Sequence, residues 1–158
     1  LRYRRIAFNR YYRLWDGQMM PYAITSYGWR AVGDDFTEAD LAEGESLVDE
    51  IPQSLIDAIA EQELLRETTA DLNARTRLAT AQVTALQGRV DAINDAIDGD
   101  YALPEEVEEK PLRVAMLAEW KKYRVFLGRV TGQPIWPTAP AWPEQPALYN
   151  DETTVARA

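Results

Sequence analysis

The chain of 158 residues contains no cysteine and no histidine. Without cysteine there is no disulfide framework, no thiolate zinc site and no cysteine nucleophile. Without histidine there is no Ser-His-Asp triad and no imidazole metal ligand. Carboxylates, lysine and tyrosine are what remain for chemistry, and no catalytic residue, metal or cofactor is expected. Long apolar runs are missing as well. No window approaches 18 uncharged apolar residues, so neither a transmembrane helix nor membrane insertion is expected. Residues 1–6 carry charges with no apolar stretch behind them, which is not the pattern of a signal peptide. An opening on Leu1 instead of Met fits a truncated start, or a start codon read literally.

What is present argues for a folded protein. A hydrophobic share of 46% excludes wholesale disorder, and the length suits one domain or two small units. The net charge of −9 is unevenly spread. Residues 1–30 hold six arginines against the single acid Asp16, and the remainder holds 11 basic and 25 acidic residues. An acidic body repels a phosphate backbone, so nucleic acid is not an expected partner. The basic, tyrosine-rich head suits either an acidic partner or the chain's own acidic parts.

The expected fold class is α+β. Residues 1–53 read as a small antiparallel β unit. Asp16-Gly17 follows the aromatic run Tyr11 to Trp15 and is a strong hairpin signal. The returning run 18–24 holds Pro21, which cannot donate to a ladder and therefore points to an edge strand. Residues 27–32, with Trp29, look like a third strand. A short helix is expected from Thr37 towards Gly44, and a last strand over 46–51.

Residues 54–99 read as one long helix, capped by Ser54 and closed by Gly99 in a left-handed cap. Val83, Leu86, Val90, Ile93 and Ile97 form a clean 3-4-3-4 heptad seam, whereas Gln62, Thr69 and Thr76 place polar groups on its earlier part. The seam serves self-association or docking on a helical or fibrous partner. Alternatively, it serves packing against the chain's own sheet and second helix. Residues 100–110 look like a solvated acidic connector. Pro111 opens a second amphipathic helix to residue 131, with Trp120, Tyr123 and Phe126 in one broad arc and Val114, Leu117 and Val125 on another side. Residues 132–158 hold five of the nine prolines. In a polyproline II strand Trp136, Ala139 and Trp142 share a face, so the two tryptophans are either anchors for a partner's groove or a clasp on the preceding helix.

Residues 117–130, LAEWKKYRVFLGRV, followed by Trp136-Pro137 and Trp142-Pro143, resemble the C-terminal region of the tail fibre assembly proteins of tailed bacteriophages. Members of that family typically carry an AWKKYRVxLxRV helix and then a short WPxxP tail. The likeness covers residues 112–146. It implies a small chaperone that binds the C-terminal region of a tail fibre protein and assists its trimerisation. It also implies residence in the host cytoplasm during assembly, or at the fibre tip of the virion, where host recognition takes place. A homo-oligomer, or three copies on a trimeric fibre, is expected. The residues expected to meet such a partner are Trp15, Trp29, Trp120, Tyr123, Trp136 and Trp142. The alternative is a permanent structural or adapter component of the virion tail, trimerised by its coiled coil. A carboxylate-based glycan hydrolase would need two acids facing each other across a cleft about 5 to 9 Å wide, for which the sequence offers no argument.

Overall fold

The computed structural model describes residues 14–15, 18–19 and 21–150. The chain divides into two compact units, Leu1–Glu63 and Leu64–Ala158. The class is α+β: five short strands precede two helices, the first of them long.

In the first unit β1 (Leu14–Trp15) and β2 (Gln18–Met19) pair antiparallel, with Trp15 opposite Gln18. Two residues separate them, as the Asp-Gly signal requires. A second sheet of three antiparallel strands has the order β4-β3-β5, from β3 (Tyr22–Thr25), β4 (Gly28–Ala31) and β5 (Ser46–Val48). The expected single edge strand over 18–24 is therefore split at Pro21, and its second half is central. Pro21 lies just before β3, where its missing N–H costs the ladder nothing, and its carbonyl accepts from the Val32 N–H at 3.0 Å. The expected helix after Thr37 shrinks to a 3-10 turn, Glu38–Asp40. Asp40 accepts from both the backbone N–H and the hydroxyl of Thr37, closing a capping box on that single turn. Leu41 then leaves in an extended conformation, and Gly44 takes a positive φ of 83° that favours glycine. The Arg30 guanidinium grips the Glu45 carboxylate by two bonds, 2.9 and 2.7 Å, tying β4 to the segment before β5.

The first helix, α1 (Gln53–Asp98), is continuous through Thr68, Thr69 and Thr76. It begins one residue earlier than Ser54 suggests. The Pro52 carbonyl accepts the first N–H bonds from Leu55 and Ile56, and Asp57 pairs with Gln53. Its far end also differs from expectation. Tyr101 N–H bonds to the Ala96 carbonyl and Asp100 N–H to the Ile97 carbonyl, a Schellman closure whose left-handed residue is Asp100 (φ 60°) and not Gly99. At Gly99 a Cβ would meet the exposed Tyr101 ring, which would have to swing aside.

The second helix, α2 (Pro104–Leu127), absorbs most of the expected acidic connector. Pro104 sits in the first turn and the Glu106 carboxylate caps the Leu103 N–H, while Glu105 and Glu106 complement the helix dipole. Pro111 falls inside the helix and is bridged: Glu109 and Arg113, on either side of it, are paired, and Arg89 of α1 reaches Glu109 at 2.6 Å and Glu106 at 3.4 Å. The ion cluster thus spans the turn in which the proline removes a backbone bond. Of the acids read as a solvated run, Glu106 and Glu109 clamp the helical hairpin while Glu105 and Glu108 stay exposed, and the Arg89 fork, with Arg113 beside it, holds the Glu109 carboxyl below the usual carboxylate range.

The core of the second unit lies between the two helices. Ala79, Val83, Leu86 and Val90 of α1 pack with Leu117, Trp120, Tyr123 and Leu127 of α2, and Tyr149 joins them from the C-terminal segment. Ile93 is fully buried and Ile97 half-buried along the same line. The heptad seam is legible in the fold, but its own chain covers it. Within one copy Val83, Leu86 and Val90 face α2 instead of a second molecule, because a short turn brings an equally apolar helix alongside.

Candidate functional site

Residues 133–150 form a strap that returns along the helical hairpin. Its start is a turn and not the expected polyproline run: Trp136 N–H bonds to the Gln133 carbonyl, Ala139 N–H to the Ile135 carbonyl, and the Trp136–Pro137 peptide is cis. The Gln133 side chain both donates to the Ala141 carbonyl and accepts from its N–H, closing the loop. Trp136 and Trp142 meet edge to face with ring centres 6.4 Å apart.

Four residues of α1, seven apart, make one polar line beside the seam. The Thr68 hydroxyl donates to the Pro137 carbonyl, and the Arg75 guanidinium lies 4.6 Å from the centre of the Trp142 ring. Gln82 holds the main chain of Tyr149 from both sides, accepting its N–H at 2.7 Å and donating to its carbonyl at 3.2 Å. Arg89 supplies the ion cluster. From α2, Trp120 donates its indole N–H to the Ala147 carbonyl at 3.0 Å, and Arg113 covers the Tyr149 ring. The Tyr123 hydroxyl is buried without a hydrogen bond of good geometry, but it lies near Arg75. Burial works against the Arg75 charge, and the Tyr123 hydroxyl and the Asp71 carboxylate outweigh it.

Where the strap bridges α2 it leaves a groove of about 920 Å³. Ala115 and Ala118 give it a shallow wall, Trp120 and Tyr123 contribute to its lining, and Pro143 and Pro146 close the strap side. Glu119, Lys122 and Glu144 add charge of both signs. Phe126 lines the groove while remaining exposed, and exposed Leu112 and Val125 lie on the same helix. Such a cavity, mainly apolar with a few charges at its borders, has the size and lining to seat either a small molecule or a short apolar segment of another chain. Among the described residues no cluster of three or more acids is placed to hold a metal, and no helix is long and apolar enough to cross a membrane.

The six residues expected to meet a partner separate into three groups. Trp120 and Tyr123 are buried in the chain's own core, where their size fills the space between the helices, and they reach the groove only as part of its lining. Trp136 and Trp142 are half-buried in the strap, as in the clasp arrangement. Trp29 is half-buried on β4, opposite Ile24, and the Trp15 side chain lies outside the described residues. Gln82, Arg75 and Thr68 were not among the expected residues, yet they carry a signal in the sequence: all three flank the seam at the same heptad position. Ala115 and Ala118, whose small side chains line the groove, stand out by no such spacing. Comparison with protein-family models, with curated proteins and with solved structures finds no match to this chain.

Proposed function

We propose that the protein is a tail fibre assembly chaperone of a tailed bacteriophage, which holds the C-terminal region of the fibre chain until it trimerises. The groove over α2 carries the proposal. It is built from the stretch that resembles that family, residues 117–130 with the Trp-Pro strap, and it combines apolar walls with exposed Phe126. Fibre chains that pair strands between copies expose apolar faces and strand edges before assembly, and such segments aggregate unless covered. The groove offers cover for a short apolar segment. In the other unit, β4 and β5 each have one strand neighbour among the described residues, so their outer edges can extend a partner's sheet. The seam plays no part in this mechanism, because α2 already occupies it.

The test is co-expression with the fibre gene adjacent to this reading frame. Soluble, trimeric fibre is expected only in the presence of the protein. Ala115→Arg, which fills the groove from an exposed position, should reduce the yield of soluble fibre at least about tenfold without changing the chaperone's own melting temperature. Trp120→Ala is the wrong probe, because it empties the core. Full rescue by Ala115→Arg would remove the groove from the mechanism. Failure of the wild-type chain to bind or solubilise fibre would overturn the proposal itself.

A further inference from the structure

The outward face of α2 has an apolar line of its own. At 100° per residue Val107, Val114, Ala118 and Val125 fall within about 40° of one another. The three valines are 50, 45 and 52% exposed, and Trp120, Tyr123 and Leu127 occupy the opposite, buried face. Nothing in the hairpin core needs these valines. Of the groove residues, Ala115 and Phe126 lie roughly a quarter-turn away around the helix, whereas Ala118 stands on the line itself.

Charge along α2 is polarised in the same direction. The half beginning at Pro104 carries Glu105, Glu106, Glu108 and Glu109 against Lys110 and Arg113, and the half ending at Leu127 carries Lys121, Lys122 and Arg124 against Glu119. Of these, Glu105 and Glu108 at one end and Lys121, Lys122 and Arg124 at the other are exposed. The helix dipole accounts for the sign of each end. It does not account for a valine line running between them.

We infer that α2 is the seat of a two-fold dimer, in which the outward face of α2 in one copy packs antiparallel on the same face of a second copy. An antiparallel pair brings the acidic end of each helix against the basic end of the other, whereas a parallel pair would stack like on like. The line is symmetric about its middle. Val107 meets Val125 of the second copy, Val114 meets Ala118, and Glu108 comes alongside Lys122 twice. Four small side chains per copy make a modest interface, so the dimer forms in the micromolar range. The inference does not rest on the function proposed above, although Ala118 and Lys122 belong both to the groove and to this face, so a second copy seated here competes with a partner in the groove.

Sedimentation of the full chain up to about 100 μM should give reversible association from 18.0 kDa to twice that mass. Val114→Glu with Val125→Glu should keep the chain monomeric while leaving its circular dichroism and melting temperature as they are. Glu108→Lys should weaken the dimer about tenfold, and adding Lys122→Glu should restore it. The absence of cysteine makes single thiols unambiguous. A mixture of Val107→Cys and Val125→Cys chains should cross-link with a short reagent. Val107→Cys alone should not, because the two thiols would stand about 27 Å apart. A chain monomeric throughout, a trimer, a dimer that survives the double glutamate variant, or cross-linking of Val107→Cys with itself would each overturn the arrangement.

Discussion

Glu45 accepts two bonds from the Arg30 fork and a third from the Ala42 N–H, and together these pull its carboxyl down from an ordinary 4.5 to about 2. A carboxyl held low favours the folded form at pH above its ordinary value, and that contribution fades as the pH falls from 4.5 towards 2. In an NMR titration Glu45 should therefore protonate near 2, after the exposed glutamates. In Arg30→Gln it should return towards the ordinary range. A midpoint near 4.5 in the wild-type chain would mean that the Arg30 fork is absent in solution. Asp100 offers a second single-residue test. Its φ of 60° is the left-handed conformation that glycine adopts without a Cβ penalty. Asp100→Gly should stabilise the chain by about 1 kcal/mol, read as a rise in melting temperature, and Asp100→Val should lower it. The sequence pointed to Gly99 for this conformation because glycine is the common choice. The two closing bonds, from Asp100 to Ile97 and from Tyr101 to Ala96, place the left-handed residue one position later, a register that no local pattern announces.

Among the elements, the seam of α1 was legible because burial on one helix face repeats every seven residues whichever partner supplies the other side. For the same reason, the pattern could not say that the partner is α2. The start of α2 was hidden in the sequence: an acidic run between two prolines has the composition of a linker, and its helical use depends on Arg89, at least 17 residues away, pairing with Glu106 and Glu109. The docking of the strap was hidden more deeply. Gln82 and Trp120 hold main-chain atoms of Tyr149 and Ala147, so much of its attachment leaves no mark on the side chains of residues 145–150. Gln82→Ala strands an N–H and a carbonyl at a half-buried site, costing about 1 to 3 kcal/mol of strap docking. Hydrogen exchange at the Tyr149 amide should accelerate accordingly, with little change at Leu86. Equal acceleration at both sites would mean that strap and hairpin open together. Trp120→Ala should cost about 3 to 5 kcal/mol in thermal unfolding, because it leaves a large void between the helices and removes the bond to Ala147.

At the level of the whole molecule, the two units differ in what holds them. The first contains strands of two to four residues with Ala23, Val32, Ile51 and Leu55 buried, and its ties include exposed hydrogen bonds and the Arg30–Glu45 pair. The second has an extended core of two helices and a strap. Native-state hydrogen exchange should accordingly find its slowest amides around Val83 to Val90 and Leu117 to Leu127, and faster ones throughout β3 to β5. Slowest exchange in the sheet would contradict that ranking. The six predicted contact residues show where sequence reasoning loses its hold at this scale. Large aromatics are enriched both in cores and at interfaces, and composition alone does not separate Trp120 in the core from Phe126 at the groove.

The polar line Thr68, Arg75, Gln82 and Arg89 turns α1 into a ruler with two-turn graduations. Seven residues rotate the helix by about 700°, so each mark falls nearly above the last. One residue added between Arg75 and Gln82 would swing every later mark by about 100°, taking Gln82 away from Tyr149 and Arg89 away from Glu109 together. A whole heptad would restore the direction but lengthen the ruler by about 10.5 Å, so length changes inside this stretch of α1 cost partners at one end or the other, whereas the same changes before Thr68 leave every mark on its partner.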